Sequence, residues 1–393
     1  MTSIYLKRGK DESLRRYHPW IFSGAIHHID GKVAEGDVVD VYDSEHEYIC
    51  TGHYQIGSIT VRVLTFEKRD IDESFYAERI GEALAVRRSI GLVREDNNTY
   101  RLVHGEGDFL PGLVIDIYNR TAVVQAHSVG MHVHREMIAK AIVTVFGNDV
   151  TSVFYKSETT LPFKADLGQE NGFLIGGTEI DNIAIENGLK FHIDWLGGQK
   201  TGFFVDQRDN RSLIEHYAKG RRLLNMFCYT GGFSVYAMRG GAVKVDSVDA
   251  SAKAVELVNQ NMELNFPGDT RHAAYAQDAF AFLDKMEKSA YDLIILDPPA
   301  FAKHRDAVRA ALKGYTRLNA RAMEKIEKGG LLFTFSCSQA VDKDHFRAAV
   351  FTAATQAHRR VRILHQLHQP ADHPINIYHP EGEYLKGLVL EVE

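Results

Sequence analysis

Apolar and polar positions change their spacing twice along the chain, and these changes predict three successive regions. In the first region, short alternating apolar runs predict strands at residues 37–42, 48–51 and 59–66, with Gly, Asp and Ser turns between them. Such strands favour a small β-barrel over residues 1–70, which ends near the charged stretch 67–74.

The second region, residues 71–187, mixes helical and strand periods. A helix is predicted from residue 75 to about 90, and a second one over residues 132–146. Between them, the runs 113–118 and 121–126 predict a hairpin that turns at Asn119 and Arg120. This order of elements predicts an α+β domain.

The third region, residues 188–393, alternates apolar runs with helical periods. The predicted strands are 222–227, 243–248, 271–276, 293–296, 331–335, 361–367 and 385–392, and the predicted helices are 232–239, 251–264, 279–288, 315–326 and 343–358. This alternation is typical of an α/β fold with a doubly wound parallel sheet. No helix separates the last two strands, so the final strand is predicted to be antiparallel.

Composition narrows the class of protein. The chain has 393 residues and 45% hydrophobic residues, which is enough for a large core and argues against disorder. Cys50, Cys228 and Cys337 form no pattern typical of a zinc site or a disulfide framework, and no metal site is expected. No apolar leader or membrane-length run is present, so a cytoplasmic protein without a membrane partner is predicted.

The formal charge of −6 taken alone argues against a nucleic-acid partner. However, residues 7–18 hold five Lys and Arg against two acids, and residues 303–328 hold eight against three. The second run either contacts phosphates or forms an ordinary solvated helix face. Positive charge is therefore concentrated in two places, and an RNA partner stays open.

Three predicted strands end in residues suited to a nucleoside ligand. A turn with Gly231 and Gly232 joins the first strand to a helix, which lets a ligand approach the backbone, although an ordinary turn explains it equally well. Asp249 ends the second strand, where a carboxylate accepts ribose hydroxyls, unless it only caps the next helix, a role that Ser251 also fits. Asp278 ends the third strand, where it is placed to accept an adenine amino group.

The fourth and fifth strands end in residues suited to a planar base. Asp297 is followed by two prolines and Ala300, so this turn presents a carboxylate and carbonyls but few backbone donors. Cys337, between two serines, is either a nucleophile or an inert buried thiol. Upstream, Phe203 is placed to stack on an adenine or to pack in a core.

These motifs resemble those of a known family. Residues 188–393 resemble class I S-adenosylmethionine (SAM)-dependent methyltransferases, and the whole chain resembles bacterial large-subunit ribosomal RNA cytosine-5 methyltransferases with an N-terminal PUA domain. The matching strings are RYHPWIFSG (16–24), GLVID (112–116), KTGFFVDQR (200–208), FCYTGGF (227–233), DPPAF (297–301), FSCS (335–338) and ADHP (371–374).

The resemblance implies a PUA barrel, an α+β linker domain and a Rossmann-like seven-stranded methyltransferase domain. It implies that Cys337 is the nucleophile and that large-subunit ribosomal RNA is the partner, with a homodimer left open. It places these residues around the cofactor: Phe203, Asp206, Phe227, Tyr229, Thr230, Gly231, Gly232, Asp249 and Asp278.

The expected activity is formation of 5-methylcytidine through a cysteine adduct, with Asp297 binding the base. Ala300 stands where two-cysteine RNA methyltransferases have their second cysteine, so product release is expected to follow another route. One alternative is an exocyclic-nitrogen RNA methyltransferase, although Ala300 replaces the aromatic residue usual there. Another is a non-enzymatic RNA-binding assembly factor that has kept the fold.

Overall fold

The computed structural model describes residues 2–161, 167, 170–177, 181–302 and 304–393. The chain divides into two compact units, and each of them is built from more than one stretch of sequence. Unit 1 comprises Met1–Asn187, Ile193–Val205 and Ala371–Gly382. Unit 2 comprises Gly188–His192, Asp206–Pro370 and Glu383–Glu393.

The N-terminal sheet of unit 1 is curled and has the order β2-β6-β5-β4-β1-β3 in the described part of the chain. Its strands are β1 (Thr2–Leu6), β2 (Trp20–Phe22), β3 (Ile26–Asp30), β4 (Val38–Tyr42), β5 (Tyr48–Tyr54) and β6 (Ile59–Thr65). Strands β1 and β4 are parallel, and the other neighbours are antiparallel. Alternate apolar side chains, such as Ile4, Val39 and Val61, fill its core.

The second sheet of unit 1 has the order β11-β10-β9-β8-β7. Its strands are β7 (Thr99–His104), β8 (Leu113–Tyr118), β9 (Thr121–Ala126), β10 (Ser152–Tyr155) and β11 (Gly172–Ile175), and the helices of this region are α1 (Glu73–Ser89), α2 (Val129–Val133) and α3 (Arg135–Phe146). The β8–β9 hairpin has the predicted register, with Tyr118 opposite Thr121. Strand β12 (Ile183–Glu186) also belongs to this unit.

The prediction of one helix over residues 132–146 is wrong, because two helices meet at His134. The side chain of Ser128 accepts a hydrogen bond from the Met131 N–H, and this cap starts α2 before the predicted residue. His134 then has φ −87° and ψ 6°, which breaks the helical path before α3 begins.

A buried ion pair holds the returning segment Ala371–Gly382 in unit 1. The fully buried guanidinium of Arg87 donates to both carboxylate oxygens of Asp108, at 2.5 and 2.7 Å, and to the Asp372 carbonyl at 2.7 Å. The Asp372 carboxylate accepts the Arg101 N–H at 2.9 Å. The buried charges of Arg87 and Asp108 therefore have hydrogen-bond partners, without which their burial would be costly.

Unit 2 contains a seven-stranded sheet with the order β16-β15-β14-β17-β18-β20-β19 among its described residues. The strands of this sheet are β14 (Arg222–Met226), β15 (Lys244–Asp249), β16 (His272–Ala276), β17 (Leu293–Leu296), β18 (Gly330–Ser336), β19 (Val361–Leu367) and β20 (Lys386–Val392). Unit 2 also contains β13 (Leu189–His192), which lies outside this sheet. Its helices are α4 (Arg208–Tyr217), α5 (Gly232–Arg239), α6 (Ala252–Asn265), α7 (Ala279–Lys285), α8 (Val308–Lys325) and α9 (Lys343–Gln356).

The topology of this sheet confirms the predicted α/β fold. Strands β14 to β18 run parallel, whereas β20 is antiparallel to both β18 and β19. The strand order reverses at β14, and ligands of doubly wound sheets bind at such a switch point, beyond the carboxyl ends of the strands.

The predicted helix 315–326 begins seven residues too late, because α8 starts at Val308. The alanines at 310 and 311 are strong helix formers, and the helix continues through Gly314. Helix α7 ends at Lys285, three residues before the predicted end.

Candidate functional site

The turn after β14 is a tight backbone loop at the switch point. Phe227 and Tyr229 have φ of 59° and 47°, and Gly231 has φ of 80°. Non-glycine residues rarely adopt this left-handed conformation, so the surrounding packing must hold the loop in place. A Cβ on Gly231 would lie 2.9 Å from a methyl group of Val258, which explains why glycine is required there. Gly232 then begins α5.

Asp249 ties this turn to the end of β15. One carboxylate oxygen accepts the Tyr229 N–H at 3.0 Å, and the other accepts the Ser251 N–H at 2.9 Å. The hydroxyl of Ser251 caps α6 at Ala254, so Asp249 is not needed as the cap. Each carboxylate oxygen has two acceptor sites, which leaves one on each oxygen for a pair of neighbouring hydroxyls.

The hydroxyl oxygen of Thr230 supports the interpretation that this turn holds a ligand. It is buried and has no hydrogen-bond partner in the part of the chain that the structure describes. A buried hydroxyl without a partner is costly, and a polar ligand in the turn would relieve that cost. With the glycine turn and the Asp249 acceptors, the residues fit a ribose-bearing cofactor.

Asp278 lies at the end of β16, as predicted, but it has a structural role there. The residue is exposed, and one carboxylate oxygen accepts the Ala281 N–H at 2.9 Å, which caps α7. Its second oxygen stays available for an amino group. Asp278 therefore supports the cofactor interpretation less strongly than Asp249.

The two remaining cofactor candidates fall in different units. Asp206 belongs to unit 2, where its carboxylate accepts the Tyr384 hydroxyl at 2.6 Å. Phe203 is a buried residue of unit 1, and its carbonyl accepts the Tyr118 hydroxyl at 3.2 Å. Tyr384 carries no sequence motif that identifies it, because it lies 178 residues from Asp206.

Asp297 follows β17 and is held by the side-chain amide of Gln207, the residue that precedes α4. Gln207 donates from its side-chain amide to the Asp297 carboxylate at 3.0 Å. The Gln207 side-chain carbonyl accepts in turn from Asn210 at 2.6 Å, and both amides are buried. This fixes the orientation of one Asp297 oxygen. Sequence reasoning missed Gln207, although it stands in the quoted string 200–208.

Cys337 lies beside the Asp-Pro-Pro turn, as the strand order predicts. It follows β18 and is half-buried, and its Sγ lies 3.9 Å from the Pro298 carbonyl. Behind it, the Tyr315 hydroxyl contacts the hydroxyls of Ser336 and Ser338, each at 2.9 Å. The thiol therefore belongs to a polar, hydrogen-bonded loop.

The other two cysteines are buried. Burial raises the pKa of Cys228 well above its usual range, and burial also raises the pKa of Cys50. None of the three cysteines forms a disulfide bond. Of the three cysteines, only Cys337 is thus both accessible and next to the Asp-Pro-Pro turn, whereas Cys228 lies buried in the turn after β14.

Lys386 is a residue of this region that sequence reasoning missed. It starts β20 opposite Ser336, is only 5% exposed, and donates from its ammonium to the Ser338 carbonyl at 2.7 Å. Burial lowers the pKa of Lys386 to about 8. Lysines are seldom buried, and nothing in the sequence distinguishes this one from a surface lysine.

The basic run predicted over residues 303–328 forms one wall of an open groove between α8 and α9. The groove has a volume of about 730 Å³. Its cationic lining comes from Arg309, Lys313, Arg317 and Arg321. Lys303 and the side chain of Arg305 lie outside the described residues.

The N-terminal basic run is less free than its count of charges indicates. Arg15 forms ion pairs with Asp11 at 2.5 Å and with Asp43 at 2.8 Å. The ammonium of Lys7 donates to the Gly24 carbonyl at 3.0 Å. In the α8 groove, Arg321 is likewise paired, with Asp284 at 3.4 Å and with Glu324 at 3.2 Å.

Comparison with known proteins finds a matching family for two segments of the chain. Residues 163–379 match the S-adenosylmethionine-dependent methyltransferase family, and residues 4–66 match the PUA-like domain. A protein of Tolumonas auensis named Ribosomal RNA large subunit methyltransferase I is 40% identical, over 99% of both chains. A protein of the same name from Photobacterium profundum is 39% identical over the full length of both.

Solved structures share the fold at lower identity. A candidate SAM-dependent methyltransferase from Streptococcus mutans has a TM-score of 0.83 at 21% identity and covers both chains completely. A second candidate methyltransferase, solved in complex with S-adenosylhomocysteine (SAH), has a TM-score of 0.84 at 21% identity, again over both whole chains.

No helix in the described parts of the chain is long and apolar enough to cross a membrane.

Proposed function

The chain belongs to the SAM-dependent methyltransferase family with a PUA-like N-terminal domain, and we propose that it forms 5-methylcytidine in large-subunit ribosomal RNA. The RNA class is supported by relatives that are named for it and are alike over almost their whole length. The choice of carbon 5 rests on one observation, which is the position of the Cys337 thiol beside the Asp-Pro-Pro turn.

The chemistry of cytosine makes a thiol necessary at this position. Carbon 5 is a weak nucleophile, and addition of a thiolate to carbon 6 makes it enamine-like. Bound SAM supplies the electrophilic methyl group. Cys337 forms the bond to carbon 6, while Asp297 accepts from the cytosine amino group. Gln207 holds the Asp297 carboxylate in position. Carbon 5 would then take the methyl group, with SAH as the leaving group. A base removes the carbon 5 proton, and the thiolate leaves, which restores the aromatic ring.

The cofactor is held by the β14 turn and by the carboxylate after β15. Asp249 accepts from the ribose hydroxyls with the acceptor sites that Tyr229 and Ser251 leave open. Asp278 and Asp206, which belong to the same unit as Asp249, complete the polar contacts of the cofactor. The glycine turn allows close approach of the ligand.

RNA binding is assigned to the PUA-like domain and to the α8 groove. Four cations spaced four residues apart line that groove, and phosphate contacts through Lys and Arg supply most non-specific affinity for nucleic acids. A cytosine inside a duplex does not expose carbon 6, so the target nucleotide must be unpaired or flipped.

The decisive experiment is methyl transfer from labelled SAM to unmodified ribosomal RNA, followed by nucleoside mass spectrometry with chromatographic separation of methylcytidine isomers. The expected product is 5-methylcytidine, and Cys337→Ala should abolish it without loss of SAH binding. Cys50→Ala, which removes a buried thiol from the N-terminal sheet, is the matched control and should retain activity.

Three results would refute this proposal. Full methylation by Cys337→Ala would exclude the covalent route. A nitrogen-methylated nucleoside would instead support the exocyclic-nitrogen activity that an Asp-Pro-Pro turn also favours. RNA binding without any methyl transfer would leave the assembly-factor interpretation.

A further inference from the structure

Lys386 is a buried cation beside the proposed nucleophile. Strand β20 runs antiparallel to β18, which places Lys386 opposite Ser336, the residue before Cys337. Its ammonium donates to the carbonyl of Ser338, the residue after Cys337, at 2.7 Å. Lys386 therefore contacts the residues on both sides of Cys337. Its backbone lies opposite Ser336, and its side chain reaches Ser338.

The ammonium of Lys386 has both acidic and basic neighbours. Cys337, Glu383 and Asp342 favour its protonated form, and Lys343 opposes it. Lys343 forms an ion pair with Glu383, so these two charges largely cancel. Tyr315, which faces Cys337 from α8, has its pKa raised by burial and is neutral near pH 7.

Burial of Lys386 has a cost that its contacts only partly offset. Desolvation lowers its pKa to about 8, so the side chain is still mostly protonated near neutral pH. An uncharged residue would fill the same space without this penalty. The placement of a charge here is therefore better explained by the neighbouring thiol than by packing.

We propose that Lys386 is a positioning residue for Cys337, which holds the nucleophile loop through the Ser338 carbonyl and stabilises the thiolate with its positive charge. This inference rests on the proposed function for its biological meaning, because the thiolate is the form that would attack carbon 6. Its physical content, a coupling between Lys386 and the acidity of Cys337, is independent of the substrate.

The test is the pH dependence of Cys337 alkylation. The full-length protein is treated with iodoacetamide across a pH series, and labelling of the Cys337 peptide is followed by mass spectrometry. A nearby opposite charge lowers the pKa of an acid by one to three units, so Lys386→Met should move the alkylation midpoint upward by about one pH unit. Lys386→Arg keeps the charge and should restore the midpoint.

Two further variants separate charge from structure. Lys386→Gln keeps a donor for Ser338 without the charge, and it should show the same upward shift as Lys386→Met. Lys343→Met removes an exposed ammonium of the same neighbourhood and should leave the midpoint unchanged. SAH affinity and melting temperature are measured for each variant to show that the fold is intact.

An unchanged midpoint in a folded Lys386→Gln or Lys386→Met protein would overturn the inference, and so would an equal shift in Lys343→Met. The outcome is distinguishable from a failure of the proposed function. If Cys337→Ala methylates RNA normally, the covalent mechanism is wrong, whereas the alkylation profile still reports whether Lys386 controls the thiol.

Discussion

The most direct test of the cofactor site is Asp249→Asn. The carboxylate serves two backbone N–H groups, one from the β14 turn and one from the start of α6. An asparagine has one oxygen and one NH2 group at the same positions, so in either orientation of the amide one of these N–H groups faces another donor. The substitution therefore loosens the turn and removes a charged acceptor for the ribose.

The magnitude follows from the contacts that are lost. A hydrogen bond to a charged group contributes about 1.5–3 kcal/mol. Loss of one such bond between the ribose and Asp249 should weaken SAH binding roughly 10- to 150-fold. The asparagine oxygen still accepts one hydroxyl, so binding should be weakened rather than abolished.

Isothermal titration calorimetry with SAH measures this change directly. The matched control is Asp269→Asn, which removes an exposed carboxylate of unit 2 that pairs with Arg271, and its SAH affinity should equal that of the wild type. An Asp249→Asn protein with intact melting behaviour and unchanged SAH affinity would refute the assignment of Asp249 to the ribose.

Three other perturbations have clear expected outcomes. Arg87→Met leaves the Asp108 carboxylate buried without its cation and should lower the free energy of unfolding by about 3–5 kcal/mol in urea titrations; a negligible loss would contradict this. Burial lowers the pKa of His272 to about 4. As the pH falls, His272 is therefore protonated in the unfolded chain before it is protonated in the folded protein. The free energy of unfolding should fall as the pH drops from about 6.5 to 4, and it should fall less steeply in His272→Gln. Arg309→Glu with Lys313→Glu should weaken RNA binding and its salt dependence in filter-binding assays, with SAH affinity kept, and an unaltered salt slope would exclude the groove as a phosphate contact.

Strands β17 and β18, at the centre of the seven-stranded sheet, were predictable because their burial leaves a clear pattern in the sequence. A strand that is covered on both faces consists of consecutive apolar residues, and Leu293–Leu296 was predicted with the bounds that the structure has. The N-terminal sheet behaves differently. Strand β2 has three residues, and β3 carries two exposed histidines, so neither contains a readable apolar period.

The same contrast holds for the candidate site. Asp249, Asp297 and Cys337 follow parallel strands, and a general rule of doubly wound sheets places such residues at one edge. Gln207 and Tyr384 contact site carboxylates through side chains that come from distant parts of the sequence. No local pattern marks such contacts, because each depends on how the chain is folded.

Lys386 was missed for a topological reason. The rule for parallel sheets concerns carboxyl ends, but β20 is reversed and brings its amino end to the same edge, where Lys386 pairs with Ser336. The residues that enter β20 therefore reach the site from the opposite direction. Tyr384 contacts Asp206 and Lys386 contacts Ser338, so one short segment supports both a cofactor candidate and the loop that holds Cys337. When the last strand of such a sheet is predicted to be antiparallel, the residues at its start are therefore candidates for the site. They lie at the same edge of the sheet as the residues that follow the parallel strands.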